Sequence, residues 1–134
     1  MTGREADVLE NGAPGLHEGL PSDARLLAEA AELVARGWCQ DALAEDRHGH
    51  QVEPWSERAC RWSPLGALIS IWHESREDRP DVFAAAYGAL DLATCGRVEE
   101  WNAAPWRTKW HVLSAFSRAA RYLPQARAKV HGRD

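Results

Sequence analysis

Cysteine is scarce and unpaired. Cys39, Cys60 and Cys95 are odd in number, widely spaced and form no CxxC pair, which argues against a disulfide framework and a structural zinc site. No run approaches the roughly 18–20 apolar residues that span a bilayer. Residues 1–7 lack the apolar stretch of a secretory signal, so a cytoplasmic protein with no membrane partner is expected. There is no phosphate-cradling Gly-rich loop, GxSxG elbow or HExxH pair, which excludes the large cofactor-enzyme classes as far as motifs can. No cofactor and no metal are expected. Basic excess is also missing: 16 basic against 20 acidic side chains leave a formal charge of −4, which argues against a general nucleic-acid binder.

What is present is one domain's worth of chain, 134 residues, with 45% apolar and 27% charged side chains. Seven tryptophans stand out: Trp38, Trp55, Trp62, Trp72, Trp101, Trp106 and Trp110. Each carries a large apolar area and one N–H that needs a partner when buried. One reading is that they fill a small core; the other is that two or three of them line a ligand pocket or a partner surface.

Hydrophobic periodicity predicts a mainly α fold: a compact bundle of four main helices with a small irregular or hairpin insert. Residues 1–21 read as a flexible tail, 22–123 as the helical domain and 124–134 as a C-terminal extension. Ser22 is the expected N-cap of the first helix, with Asp23 in its first turn, Leu26, Leu27, Ala30, Leu33 and Val34 on one face, and Gly37 as a left-handed stop. Residues 39–53 carry a turn at 46–50, with Gly49 at positive φ and a small hairpin around it. Ser63-Pro64 starts a second helix running to about Glu77. A third spans about 81–95 and stops at Gly96. Residues 98–106 form a connector. Thr108 caps the last main helix, with Val112, Leu113, Phe116, Ala120 and Leu123 inward. Pro124 interrupts it before a short final helix at 125–131.

Three stretches carry a resemblance: Gly37-Trp38-Cys39-Gln40; Ala59-Cys60-Arg61-Trp62-Ser63-Pro64-Leu65-Gly66-Ala67-Leu68; and Trp101-Asn102-Ala103-Ala104-Pro105-Trp106-Arg107-Thr108 with Val112 after it. Together they resemble a family of small domains of unknown function found in actinobacteria and their phages, with Gly-Trp-x-Gln, Cys-x-x-Gly-Ala and Trp-Asn-Asp segments. Ser63 stands where that family usually has Cys, and Ala103 where it often has Asp. The resemblance implies a compact, mainly helical domain. It points to Trp38, Gln40, Gly66, Trp101 and Asn102, and it supplies no reaction.

Trp38 with Gln40, and Trp101 with Asn102, each pair a large ring with a side-chain amide in a connector. Rings provide area and amides provide orientation, so these four are the candidate ligand-binding residues; the alternative is that they satisfy one another inside the fold. His73 and Glu77 lie four apart on one helix, where a carboxylate would orient an imidazole for acid/base work. His111 is a further candidate, and Ser63 or Cys60 the nucleophile such a site would need. His48 and His50 flank a turn and lack an evident third metal ligand.

Three functions are in contention. The first is a binding or accessory domain whose Trp-lined pocket or surface holds a protein or small-molecule partner, with a homodimer left open. The second is a small cofactor-free enzyme using His73 or His111, which requires a buried histidine near the Trp pocket. The third draws on charge asymmetry: residues 107–134 hold seven basic groups and one acid, residues 1–106 nine and nineteen. An anionic partner would fit the basic end, and nucleic acid only if Arg118, Arg121, Arg127 and Lys129 form one exposed stripe.

Overall fold

Apolar side chains at helical spacing decide which faces turn inward. In the computed structural model, which describes residues 17–76 and 78–132, α1 spans Ser22–Arg36, β1 Ala44–Glu45, β2 Arg61–Trp62, α2 Pro64–Ser75, α3 Pro80–Ala93, α4 Val98–Asn102 and α5 Lys109–Ala119. A 3-10 turn, Ala120–Tyr122, leads into α6, Leu123–Val130. Four main helices, α1, α2, α3 and α5, form the bundle, with the two short strands in a small insert between α1 and α2.

α1 packs on α2, α3 and α5, while α3 also packs on α5 and α6. Val34, Leu68, Leu90, Val98 and Val112 are fully buried at the centre. Each such side chain contributes about 1.5–3 kcal/mol by leaving water. α3 turns Ala85, Ala86 and Ala89 inward. On its α6 side even a methyl at Gly88 would lie 3.4 Å from the Ala126 Cβ.

Helix ends depart from expectation in instructive ways. α1 begins at Ser22, after Pro21 and without a side-chain cap. Asp23 instead accepts two hydrogen bonds from Arg127 of α6, at 2.7 and 2.8 Å. Gly37 is extended rather than left-handed; its role is clearance, because a Cβ there would lie 2.0 Å from the Cys60 carbonyl oxygen. α2 starts as expected, with the Ser63 hydroxyl accepting the Gly66 N–H at 3.0 Å and Pro64 in the first turn. α3 starts one residue earlier than expected, at Pro80, and ends at Ala93 before left-handed Cys95 and Gly96. The expected connector contains α4, whose Val98 N–H is held by the Asp91 carboxylate at 3.0 Å. On α5, Ala119 rather than Ala120 faces inward.

The insert is tied down from several sides. The turn at 46–50 forms, with both the His48 and His50 N–H groups donating to the Asp46 carboxylate at 2.9 Å and Gly49 at φ 83°. Glu45 bridges to Gln51. The ladder proper, however, is longer in range: Ala44 pairs with Trp62 and Glu45 with Arg61, antiparallel. Two-residue strands are marginal alone. Here Trp62 is buried, its indole N–H donates to the Pro54 carbonyl at 3.0 Å, and Gly66 lets α2 pass under the Leu43 carbonyl.

Candidate functional site

Trp38, Gln40 and Asn102 meet where the insert crosses α4. The Trp38 indole N–H donates to the Asn102 side-chain oxygen at 2.8 Å. The Asn102 amide donates in turn to the Cys39 carbonyl at 3.1 Å. The Gln40 amide donates to the Asn102 and Ala104 carbonyls, at 3.0 and 2.8 Å. Asn102 is wholly buried, so its polar atoms must be satisfied from within the fold. Together these bonds form a clasp joining segments more than sixty residues apart. Next to it, the Arg107 guanidinium lies 3.8 Å over the Trp101 ring and donates to the Trp101 carbonyl at 2.8 Å.

A half-buried carboxylate lies one turn earlier on α4. The Glu99 carboxylate accepts the Leu65 N–H at the start of α2, at 3.3 Å. Burial pushes its pKa above the usual range, while the Leu65 N–H and the Ser63 hydroxyl pull the other way. Neither Ser63 nor Cys39 is poised as a nucleophile. Ser63 is fully buried as the α2 cap, and burial pushes the Cys39 thiol up to about 12. Cys60 is exposed.

The candidate histidines are both exposed, so the buried histidine that the enzymatic reading requires is not among them. His111 belongs to the α5 cap: its Nδ1 accepts the Thr108 N–H at 3.1 Å, and its own N–H donates to the Thr108 hydroxyl at 3.3 Å. His73 stacks on Trp55, with ring centroids 4.5 Å apart and planes 10° from parallel. With Glu74 and Arg76 these two rings border an open depression of about 400 Å³. Glu77, the expected partner of His73, lies outside the described residues. Among the described residues no three or more His, Cys, Asp or Glu groups are arranged to hold a metal ion.

The basic C-terminal residues do not act as one free stripe. Arg127 is paired with Asp23, and Arg118 donates to Ser114 and to the Ala93 carbonyl. Arg121 and Lys129 remain exposed. No helix among the described residues is long and apolar enough to cross a membrane.

Sequence reasoning did not single out the two most exposed large apolar side chains among the described residues. Trp106 and Trp110 are 71% and 70% exposed. They flank the Thr108 cap and lie at most about 14 Å apart along the chain, by the reach of four residues. Trp110 shares a helical face with Ser114, Ser117 and Arg121 rather than with the apolar stripe, a signal visible in the periodicity. Lys109 between them donates to the Ala35 carbonyl at the end of α1, at 3.0 Å, and its ammonium lies 5.4 Å from the Trp110 ring centre.

Compared with known proteins, residues 20–122 match DUF6197, a family of unknown function. No curated protein and no solved structure matches the chain.

Proposed function

The chain belongs to DUF6197, a family of unknown function, and on that footing we propose that it is a non-catalytic partner-binding domain whose contact surface is the edge bearing Trp106 and Trp110. One observation carries this reading: two indoles, about 70% exposed, sit within five residues on backbone held in place. The Gln40 amide grips the Ala104 carbonyl, Arg107 is pinned on Trp101, and Thr108 with His111 caps the helix that follows. Exposed tryptophan on a fixed scaffold is what interface hot spots are made of, because little conformational entropy is lost on contact. Trp38, Gln40, Trp101 and Asn102 then form the base under the contact surface, with their polar groups engaged inside the fold.

The test is affinity capture with quantitative mass spectrometry, using the wild type, a W106A/W110A double variant and a W55A control. The double variant is expected to keep the helical circular dichroism of the wild type, because surface changes usually cost within about 0.5 kcal/mol. It is expected to lose its partner by about tenfold or more while W55A retains it. Equal recovery by all three proteins overturns the reading.

A further inference from the structure

The Trp106–Trp110 edge also has a charge. From Trp101 to Arg133 the chain contains no Asp or Glu. Arg107 and Lys109 lie between the two indoles, and the Lys109 bond to Ala35 brings up the end of α1, where Arg36 is exposed. The insert adds one acid to this region, Asp41, beside the clasp residue Gln40. Exposed Glu100, next to Trp101, is paired with Arg97, so the edge is two exposed aromatic rings with three cations against the one acid Asp41.

Its size limits what it can hold. Two exposed indoles offer roughly 200–350 Å², against about 800 Å² per partner in a standard protein interface. That is too little for a second copy of the chain docking through this edge alone, and enough to anchor a short segment. Charge narrows the class further. An extended polyanion, whether a nucleic-acid strand or an anionic bilayer, would also meet the rest of the chain, where residues 1–106 carry nineteen acids against nine basic groups. A short segment touches the basic edge alone. Arg107 and Lys109 each already donate to a backbone carbonyl, so they supply attraction at fixed positions and not a free clamp for phosphate.

Resting on the partner-binding reading above, we propose that this edge docks a short acidic segment of another protein, in which an apolar side chain packs between Trp106 and Trp110 and flanking Asp or Glu residues face Arg36, Arg107 and Lys109.

The experiment is selection of a displayed random-peptide library on the full chain, followed by affinity measurement of the best synthetic peptide. The expected peptides carry Asp or Glu around an aromatic or aliphatic residue. Binding should weaken about tenfold or more in W106A/W110A, and about threefold to tenfold between 50 and 300 mM salt. K109Q and R36S should each weaken it, so that a folding defect in one leaves the other to decide. Peptides that depend on both tryptophans but show no acidic bias and no salt response overturn the acidic partner and leave the partner surface standing. Peptides that bind W106A/W110A as tightly as the wild type overturn both, as does a selection that enriches nothing over an unrelated bait. Tighter binding of a 20-nucleotide oligo-dT, or of phosphatidylglycerol-containing vesicles, than of any selected peptide overturns the protein segment as occupant.

Discussion

Asn102 shows how one side chain can hold two distant parts of a chain together. Its oxygen takes the Trp38 N–H, its amide gives to Cys39, and its backbone carbonyl takes Gln40. Asn102→Ala strands the Trp38 donor and the Cys39 acceptor beside a new cavity. The expected loss is about 2–4 kcal/mol, from unsatisfied polar groups together with lost packing, read as a lower urea midpoint. A loss below about 1 kcal/mol would mean that water replaces the amide and that the clasp is not structural. Glu99 makes an opposite prediction. Its carboxyl titrates above its ordinary value because it is largely withdrawn from water. A carboxyl whose folded pKa exceeds the unfolded one, near 4.3, supports the fold fully below that unfolded value, and the support drains away as pH rises through the folded value. Glu99→Gln keeps an acceptor for the Leu65 N–H and removes the charge. It is therefore expected to raise the urea midpoint at pH 7, with the gain shrinking toward pH 4. A variant less stable than the wild type at pH 7 would show that the ionised form is the favoured one there.

At the scale of elements, glycine positions separate what a local code determines from what tertiary packing determines. Gly66 lies inside α2, where Ala ordinarily stabilises a helix by up to about 1 kcal/mol. Here a Cβ would lie 1.8 Å from the Leu43 carbonyl oxygen, and a backbone atom cannot swing aside. Gly66→Ala is therefore expected to destabilise by about 3 kcal/mol; stabilisation instead would mean that the insert does not rest on α2. The same division explains what was legible. The Ser63-Pro64 start, the Gly96 stop, the Thr108 cap and the turn at 46–50 rest on residues within a few positions of each other, and all appear. The pairing of Ala44–Glu45 with Arg61–Trp62 rests on packing across the insert, and two-residue strands leave no periodicity to read. Gly37 could be read as special, but its reason, the approach of Cys60, could not. Likewise Trp38, Gln40 and Asn102 were legible as a set through their motifs, while the bonds that make them a clasp depend on where α4 lands.

For the whole molecule, the question is whether insert and bundle unfold as one. The insert holds Trp38, Trp55 and Trp62 and almost no helix, whereas far-UV circular dichroism reports the helices. Trp106 and Trp110 are already exposed and change little on unfolding. Trp72 on α2 and Trp101 on α4 also pack against the core, so tryptophan fluorescence combines the insert and its clasp with a bundle contribution, whereas dichroism follows the bundle alone. Replacing Trp72 with Phe weights the fluorescence toward the insert. Three ties couple them: the Trp38–Asn102–Gln40 bonds, the Gly66 seat under Leu43, and the ladder that sets Trp62 into the core cluster. With all three in place, the two urea transitions of the wild type are expected to coincide, the signature of a two-state domain. Removing the first tie by Asn102→Ala lets the insert loosen while α1, α2, α3 and α5 keep their shared core. The fluorescence transition of that variant should move to lower urea than the dichroism transition, because a region with fewer buried contacts opens at lower free-energy cost. Coincident transitions in the variant would place the coupling in the Gly66 seat and the ladder instead. Separated transitions already in the wild type would mean that the insert is an independent unit resting on the bundle, and that the clasp positions Trp106 and Trp110 without adding to the cooperativity of the fold.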